Sequence, residues 1–281
     1  MKLIADSGST KTDWCIIKDD GAKKFFTTEG YNPFYVDATY ISNSIQKNIF
    51  GRVEASTVRE IYFYGAGCQH DNVKLMQEVL SKPFPYTKNI TVNDDLLAAA
   101  HALLGDEPGF VAILGTGSNS CLYDGKLITL NIDSLGFILG DEGSGASIGR
   151  QLIVDFLRGQ MPADVQQLFL KTYRTTAAEL MHKVYNEPMP NRYCATYAKF
   201  LISPGISPEW VRQLLSEAFE AFFSKLVSAY PNYNQHSFNC VGSIGYQFRD
   251  TLCSVAENFK MPIGRVIPSV IQDLAAYHQK A

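Results

Sequence analysis

The fold of this chain is decided by the stretch VNDDLLAAA at residues 92–100. Ile90–Val92 is a short apolar segment typical of a strand, and the Leu/Ala run that follows is typical of a helix. Asp94 and Asp95 therefore lie where a strand ends and a helix begins. A helix N-terminus stabilises negative charge, and open α/β folds bind their ligands at strand ends. The pattern fits either a helix N-cap or a reactive carboxylate.

The composition is that of an ordinary globular protein with room for two domains. The chain has 281 residues, of which 46% are hydrophobic and 19% are charged, and its net charge is -3. A chain of this length buries most of its surface on folding, so its stability requires neither disulfides nor a metal. The weakly acidic balance argues against nonspecific nucleic-acid binding, which needs a basic surface.

The cysteines and the N-terminus indicate a cellular compartment. Six cysteines are spread along the chain without a C-x-x-C or any other paired spacing, which favours a reducing environment. The first apolar run ends at Asp6 and does not resemble a signal peptide, and no segment has the apolar length of a membrane span. We expect a cytoplasmic protein without a membrane or nucleic-acid partner. The sequence is compatible with a homodimer.

A pattern of three strands followed by helices occurs twice. Short strand-like runs at residues 3–5, 14–17 and 24–28 predict an antiparallel meander, and three further strands begin at Phe110. The repeat predicts an α/β protein with two lobes. They comprise residues 1–109 and residues 110–281, with a helical insertion at about 159–230; the last helix can pack back on the N-terminal lobe.

Two helices of the second half have distinct signals. Ser207-Pro208 places a capping residue before a proline at the first helical position, and apolar residues then keep a helical period to Val227. This predicts the longest helix, with a Phe stripe in the core. A single helix is predicted over Ile244–Asn258.

Two Gly-rich turns occupy equivalent positions in the two halves. They are DSGSTKTD at residues 6–13 and LGTGSN at residues 114–119. The backbone N–H groups and hydroxyls of such turns suit phosphate oxygens, and Asp6 at a strand end suits Mg²⁺ held together with water and phosphate. Each turn alone is also an ordinary hairpin. Their matching positions favour two loops that grip one polyphosphate, although neither is a Walker A or G-x-G-x-x-G sequence.

Two more Gly-rich segments precede helices. LGFILGDEGSG at residues 135–145 holds Asp141 and Glu142, whose carboxylates suit sugar hydroxyls or a metal and equally suit a cap and turn. VGSIG at residues 241–245 follows a strand. Glycine there lets a flat base approach the backbone, or lets helix and strand pack closely.

Together these motifs resemble those of the superfamily of sugar kinases, heat-shock chaperone ATPases and actin. The turns at 6–13 and 114–119 are similar to its two phosphate motifs, and residues 241–245 to its adenosine motif. Within it the chain resembles the BadF/BadG/BcrA/BcrD ATPase-like branch, and most of all the N-acetylglucosamine kinases. GTGSN, GDEGS and the Asn turn GYNP at residues 30–33 carry this resemblance. It implies a duplicated ribonuclease H-like (actin-like ATPase) fold, with two lobes and a nucleotide cleft between them.

The resemblance also implies a role for each motif residue. Asp95 would be the base on the sugar hydroxyl, and Asp6 would hold Mg²⁺ through water. The residues implied in ATP binding are Gly8, Ser9, Thr10, Lys11, Thr12, Gly115, Thr116, Gly117, Gly242 and Ser243. Those implied in sugar binding are Asn32, Ser118, Asn119, Asp141 and Glu142. Asp94 stands where related sequences often have Asn, so a slip of one residue would exchange it with Asp95.

The expected function is ATP-dependent phosphorylation of an amino sugar, first of all N-acetylglucosamine. One alternative is a BadF-type ATPase that drives a partner enzyme. Such proteins hold an iron–sulfur cluster between two subunits through cysteines, whereas Cys68 and Cys121 fit strand or turn positions more simply. A second alternative is a sugar or nucleotide sensor without turnover. Repressors of related fold add an N-terminal helix-turn-helix domain, and this sequence starts at its first strand.

Overall fold

The first sheet contains the antiparallel meander that the sequence predicts, in a computed structural model that describes residues 1–280. Its strands are β1 (Lys2–Ser7), β2 (Lys11–Ile17), β3 (Lys23–Glu29), β4 (Glu60–Gly65) and β5 (Asn89–Asp94). Their order is β3-β2-β1-β4-β5, with β1, β4 and β5 parallel to one another. The carboxyl ends of these three strands therefore meet at one edge of the sheet.

Amphipathic helices and aromatic side chains cover this sheet. The helices are α1 (Ala38–Ile49), α2 (Asp71–Ser81) and α3 (Asp95–Leu104). Helix α1 buries Ile41, Ile45 and Ile49, which recur every fourth residue and so lie on one face. Trp14 is fully buried and packs against Phe63 with ring centroids 6.1 Å apart.

The second sheet repeats the first. Its strands are β6 (Gly109–Leu114), β7 (Ser118–Tyr123), β8 (Ile128–Asn131), β9 (Phe238–Val241) and β10 (Ile263–Ile267). Their order is β10-β9-β6-β7-β8, which is the order of the first sheet read from the other end. Three antiparallel strands again lie on one side and two parallel strands on the other. The predicted duplicated α/β fold is confirmed.

Helices surround the second sheet. They are α4 (Gly136–Leu139), α5 (Gly145–Leu157), α6 (Ala163–Tyr173), α7 (Ala177–Asn186), α8 (Pro190–Tyr197), α9 (Pro208–Lys225), α10 (Ser243–Gln247) and α11 (Arg249–Asn258). Ser207 caps α9, whose Phe219, Phe222 and Phe223 are buried in the core as predicted. Within residues 1–280, no helix has both the length and the apolar character that crossing a bilayer requires.

The single helix predicted over Ile244–Asn258 is wrong, because α10 and α11 are separate. Phe248 stands between them with φ -112° and ψ 28°, outside helical geometry. Its side chain is buried in the core around the second sheet. Tertiary packing at this residue overrides the helical pattern of the sequence.

The chain divides into two compact units. Unit 1 comprises Met1–Glu107, Asp124–Leu127 and the stretch from Ser269 onward, whereas unit 2 comprises Pro108–Tyr123 and Ile128–Pro268. The stretch from Ser269 contains α12 (Ile271–Lys280), which packs against α3, β1 and β2.

A buried cluster of histidine and tyrosine side chains joins α12 to α3 and β4. The Tyr64 hydroxyl hydrogen-bonds His101 Nδ1 at 2.9 Å and His278 Nε2 at 2.8 Å. His278 stacks on Tyr62 and His101 stacks on Tyr277, with ring centroids 3.9 and 4.2 Å apart. Burial lowers the pKa of both imidazoles to about 4.

Charged groups around the cluster change the pKa values of its two histidines, some raising and some lowering them. Asp106 raises the pKa of His101 against the effect of burial. Lys2, whose Nζ donates to the His278 carbonyl at 2.9 Å, adds to the lowering at His278, as does His101. Glu60 accepts a hydrogen bond from the Tyr62 hydroxyl at 2.6 Å on the outer side of the stack.

We expect this cluster to make the fold acid-sensitive. In the folded protein both imidazoles have a pKa of about 4 and stay neutral down to about that pH, whereas their ordinary pKa is 6.5. Because the unfolded chain binds these protons first, the stabilisation is complete above about pH 6.5 and is lost as the pH falls toward 4. Because the two imidazoles share Tyr64 and act on each other, we expect a combined loss on the order of 3 kcal/mol rather than the sum of two independent shifts. Urea unfolding at pH values between about 7 and 4 measures it.

Variants isolate the histidine contribution from that of other groups. Asp6 and Asp95 have raised pKa values, so protonating them stabilises the folded state in acid and opposes the histidine effect. His278→Gln should remove a large part of the acid-induced loss. His182→Gln alters an exposed histidine of α7 and should leave the loss intact. Equal pH profiles for both variants would contradict the expectation.

Candidate functional site

The junction between β5 and α3 gives its two carboxylates different surroundings. Asp94 is the N-cap of α3, because its Oδ1 accepts the Leu97 N–H at 2.8 Å. Asp95 is the first residue of α3 and is not needed as the cap. The capping interpretation of the sequence therefore applies to Asp94, and it leaves Asp95 for another role.

Asp95 lies where its charged form is disfavoured. Burial raises its pKa to about 6, and the charge of Asp94 adds to the rise, while N–H groups at the start of α3 lower it. Burial raises the pKa of Asp6 to about 7, with further contributions from Asp95 and then Asp13. Asp6 and Asp95 are thus close enough to repel each other.

Strand register explains this proximity. Asp6 is opposite Tyr64, and Tyr64 is opposite Asn93, two residues before Asp95. Both carboxylates therefore lie at the edge where the parallel strands of unit 1 end. This is the edge at which open α/β sheets bind ligands.

A buried hydroxyl network holds the first Gly-rich turn from beneath. Ser7 Oγ and Thr12 Oγ1 are 2.7 Å apart, and Ser7 Oγ accepts the Tyr31 N–H at 3.0 Å. Thr12 Oγ1 donates to the Glu29 carbonyl at 2.9 Å. The side chain of Thr12 therefore faces the interior and supports the turn.

The tip of this turn is open. The Gly8 N–H donates to the Lys11 carbonyl at 2.9 Å and closes the turn, while Thr10 is exposed. Lys11 Nζ lies 2.6 Å from Asp13 Oδ2, and the lysine side chain is 60% exposed. An ion pair this exposed contributes less than about 1 kcal/mol. Lys11 can therefore leave Asp13 for a phosphate at little cost.

Asn32 connects the first turn to the loop after β4. Its Nδ2 donates to Ser9 Oγ at 2.8 Å, and its Oδ1 accepts the Phe34 N–H at 3.0 Å. A Cβ on Gly67 would lie 2.5 Å from this Oδ1. The glycine, whose φ is +79°, allows the backbone to pass beside the carboxamide.

The loop after β4 is a part of this edge that the sequence analysis missed. Residues 65–69, GAGCQ, include Gln69, which hydrogen-bonds the side chain of Asp94. Burial raises the pKa of Cys68 to about 12, with added contributions from Asp95 and Asp94. A Gly-x-Gly sequence directly after an apolar strand is the signal that could have indicated this loop.

In unit 2, the second Gly-rich turn is fixed to the start of α5. The Gly145 N–H donates to the Gly115 carbonyl at 2.8 Å, and the Ala146 N–H donates to the Thr116 carbonyl at 3.0 Å. The turn closes through the Gly115 N–H and the Gly117 carbonyl, 3.0 Å apart. Among the described residues, no backbone hydrogen bond of a turn or loop uses the N–H group of Thr116 or of Gly117 as its donor.

Gly242 crosses this turn at the carboxyl ends of β6 and β9. These strands are parallel, with Ile113 opposite Val241. Gly242 has φ +129° and ψ 158°, and a Cβ there would collide with the Leu114 carbonyl. Ser243, which begins α10, is exposed. The implied second phosphate motif and the implied adenosine motif therefore meet within unit 2.

Asp141 lies beneath the second turn. Its Oδ1 accepts the Ser118 N–H at 3.1 Å, and a Cβ on Gly117 would lie 3.1 Å from its Oδ2. Burial raises its pKa, while hydrogen bonds from Ser118 and Ser134 lower it. Asp141 also adopts φ 57°, which is uncommon for a residue other than glycine.

The remaining residues implied in sugar binding have different surroundings. Ser118 is 5% exposed, and its Oγ has no hydrogen-bond partner among the described residues. Asn119 Oδ1 accepts from Asn131 Nδ2 at 3.0 Å within the second sheet. Glu142 Oε1 pairs with Lys225 Nζ at 3.1 Å. That the turns of the two units act on one triphosphate stays a prediction.

Comparison with known proteins identifies the family to which this chain belongs. No protein-family model matches the chain, and no curated protein matches it. Among solved structures, a candidate N-acetylglucosamine kinase from Porphyromonas gingivalis is 40% identical, with a TM-score of 0.93 over 100% of this chain and 99% of its own.

More distant structures share the fold. A candidate N-acetylglucosamine kinase from Chromobacterium violaceum is 17% identical, with a TM-score of 0.71 over 98% of both chains. A ROK family glucokinase from Streptomyces griseus, in complex with glucose and AMPPNP, is 12% identical, with a TM-score of 0.59 over 100% of this chain and 98% of its own. The BadF/BadG/BcrA/BcrD name of the wider branch stays a prediction. The chain belongs to the family of N-acetylglucosamine kinase-like proteins, which have the actin-like ATPase fold.

Proposed function

We propose that this protein is an ATP-dependent kinase of amino sugars, with N-acetylglucosamine as its first candidate substrate. The observation that carries the proposal is the position of Asp95. It lies beside Asp6 at the sheet edge where the parallel strands have their carboxyl ends, and α3 is capped by Asp94 rather than by Asp95. The similarity to the candidate N-acetylglucosamine kinase from P. gingivalis over the whole chain supports this proposal.

Asp95 acts as the base in this proposal. Its carboxylate accepts the proton of a sugar hydroxyl as the hydroxyl oxygen attacks the γ-phosphorus of ATP. The bond from that phosphorus to the bridging oxygen breaks, and ADP leaves. Such transfers depend on positioning and charge stabilisation more than on covalent participation by the protein.

The two Gly-rich turns hold the phosphates. Ser9 and Thr10 offer backbone and hydroxyl donors at an open turn that the Gly8 N–H closes, and Lys11 adds a charge that is only weakly held by Asp13. In unit 2, the N–H groups of Thr116 and Gly117 supply the backbone donors, while the Gly115 N–H closes the turn. We assign the adenosine to Gly242 and Ser243, because Gly242 lets a flat base approach the backbone. The structure of the S. griseus glucokinase contains AMPPNP, which supports an ATP site in this fold.

The sugar contacts divide into direct and supporting residues. Ser118 offers an unpaired Oγ to a sugar hydroxyl. Asn32 bonds Ser9 and Phe34 and keeps its second amide N–H and second oxygen lone pair for the sugar. Asn119, Asp141 and Glu142 are engaged by neighbouring groups, so we assign them to shaping this part of the site.

The donor set fits a magnesium ion held through water. Within residues 1–280, no group of three His, Cys, Asp or Glu side chains could hold a metal by itself. Asp6 is a carboxylate crowded by the charges of Asp95 and Asp13, and Mg²⁺ accepts one or two carboxylates together with water and phosphate. When bound, Mg²⁺ would neutralise charge on the phosphates.

ADP release with Mg-ATP across N-acetylated sugars, free amino sugars and neutral hexoses tests the proposal. We expect turnover above the rate of ATP hydrolysis alone only with amino sugars. ADP release that no sugar accelerates would overturn it. The alternative of a cluster-dependent ATPase gains no support, because Cys68 and Cys121 are both buried.

Ser118→Ala gives a specific check on sugar binding. A buried hydroxyl without a partner carries a desolvation cost, so the variant should be as stable as the wild type or more stable by up to about 1 kcal/mol. The sugar KM should rise by roughly tenfold, the effect of losing one hydrogen bond to an uncharged ligand. Urea unfolding and steady-state kinetics measure the two effects. A loss of stability with an unchanged sugar KM would contradict the assignment.

A further inference from the structure

A large aromatic ring lies open to solvent beside Asn32. The side chain of Phe34 is 68% exposed, although its backbone N–H is held by Asn32 Oδ1 at 3.0 Å. The same turn is closed by the Tyr35 N–H, which donates to the Asn32 carbonyl at 2.9 Å. Leaving a ring of this size in water forgoes the free energy that burying it would supply.

The ring is held on one side by the backbone of Gly67 although it is exposed. A Cβ on Gly67 would lie 2.7 Å from Cδ2 and 3.1 Å from Cε2 of Phe34, and 2.5 Å from Asn32 Oδ1. The ring and the carboxamide therefore lie side by side over the backbone of Gly67. A group that is already oriented binds a ligand with little further loss of conformational freedom.

The loop beneath the ring leads to the carboxylates. Gly67 is followed by Cys68, whose thiol lies close enough to Asp95 and Asp94 for their charges to act on it. Phe34 and Asp95 thus flank one short loop at the edge of the sheet. A sugar bound over this loop with one hydroxyl at Asp95 can therefore extend another substituent toward Phe34.

We propose that Phe34 is a specificity-determining residue that packs against the methyl group of an N-acetylated amino sugar; this inference rests on the proposed function. The groups beside the ring are polar: the Asn32 carboxamide lies next to it over Gly67, and the Ser9 hydroxyl bonds that carboxamide. They match sugar hydroxyls. The acetyl methyl is the substituent that gains most from an apolar ring, whereas a hydroxyl at the same carbon would be desolvated against it.

Phe34→Ala should therefore change substrate preference. We expect kcat/KM for N-acetylglucosamine to fall by about tenfold to a hundredfold, the discrimination that a small apolar group gives in an apolar contact. The values for glucosamine and glucose should change by less than about threefold. The loss should appear mainly in KM, because a contact remote from the reacting atoms is made equally in the ground and transition states.

Two matched variants control the comparison. Phe34→Leu keeps an apolar side chain and should retain most of the preference for the N-acetylated sugar. Tyr35→Ala removes the neighbouring aromatic side chain, which is 51% exposed, and should leave the preference unchanged. Because both side chains are exposed, neither truncation should impair folding, and urea unfolding checks this.

The outcomes separate this inference from the proposed function. Equal losses on all three sugars, or no loss on N-acetylglucosamine, would overturn the role of Phe34 while leaving the kinase intact. A wild type that phosphorylates glucose but not N-acetylglucosamine would also overturn it. If calorimetry shows N-acetylglucosamine binding that Phe34→Ala weakens, in a protein that phosphorylates no sugar, the proposed kinase activity fails and the contact stands.

Discussion

Asp95→Asn is expected to lower sugar phosphorylation by about 10²- to 10⁴-fold, the range that a positioned general base contributes. The amide keeps the size of the side chain and its place at the start of α3, but it cannot accept the proton of the hydroxyl. Burial is the main cause of the raised pKa of Asp6, and removing the charge of Asp95 relieves the repulsion that adds to it. The variant should therefore be at least as stable as the wild type and should still bind nucleotide.

The neighbouring residue supplies the control. Asp94→Asn replaces one N-cap residue by another of equal strength, because an Asn oxygen can accept the same Leu97 N–H that Asp94 accepts. This variant should keep both its stability and most of its activity. The pair of substitutions thus decides which of the two carboxylates carries the chemistry.

The measurements are sugar-dependent ADP release and AMPPNP binding by calorimetry on both variants. Near-normal turnover in Asp95→Asn together with a collapse in Asp94→Asn would exchange their roles. It would show that capping α3 does not exclude Asp94 from acting as the base. Loss of nucleotide binding in Asp95→Asn would indicate damage to the site rather than loss of a base.

Gly242→Ala is expected to damage unit 2 and its nucleotide site together. At φ +129° and ψ 158°, Gly242 occupies a region that is essentially restricted to glycine, and forcing alanine there costs about 1–3 kcal/mol. The new methyl would also collide with the Leu114 carbonyl, and relieving such a clash by shifting the backbone costs a further ~1–3 kcal/mol. Leu114 directly precedes the second Gly-rich turn, so the shift should weaken AMPPNP binding by at least about tenfold.

Gly159→Ala separates the steric effect from the backbone effect. Gly159 also has a positive φ, +64°, but nothing lies within 4 Å of where its Cβ would be. Its substitution should cost only about 1–2 kcal/mol and should leave AMPPNP affinity unchanged. Urea unfolding and calorimetry compare the two variants. Equal effects at both glycines would show that the crossing at Leu114 carries no special constraint.

Much of the fold could be predicted because local pattern and tertiary structure agree. Alternation and turn residues indicated the two meanders, and the Ser-Pro signal predicted the start of α9 where the structure has it. Local pattern and tertiary structure disagree at Phe248, where burial of the side chain in the core interrupts the helical period of the sequence. Single-residue geometry of this kind depends on neighbours that are distant in sequence.

The candidate site was predictable as motifs and less so as individual contacts. The sequence places Asp94 and Asp95 at a helix start, yet only the hydrogen bond to Leu97 distinguishes the cap from its neighbour. Nor does the sequence indicate that Asp141 lies under Gly117. The loop at residues 65–69 was not predicted as part of the site, because glycines after a strand are common in ordinary turns. Its place beside Asp95 follows from the strand order, which the sequence does not give.

The return of α12 to unit 1 has a consequence for how the protein is made. The ribosome completes residues up to Glu107 and then synthesises all of unit 2 before α12 emerges to cover α3, β1 and β2. At a translation rate of 5–20 residues per second this interval lasts roughly 10–30 s. Throughout it the nascent N-terminal sheet lacks the helix that contributes His278, so the side chains of α3, β1 and β2 that α12 later covers remain exposed to solvent.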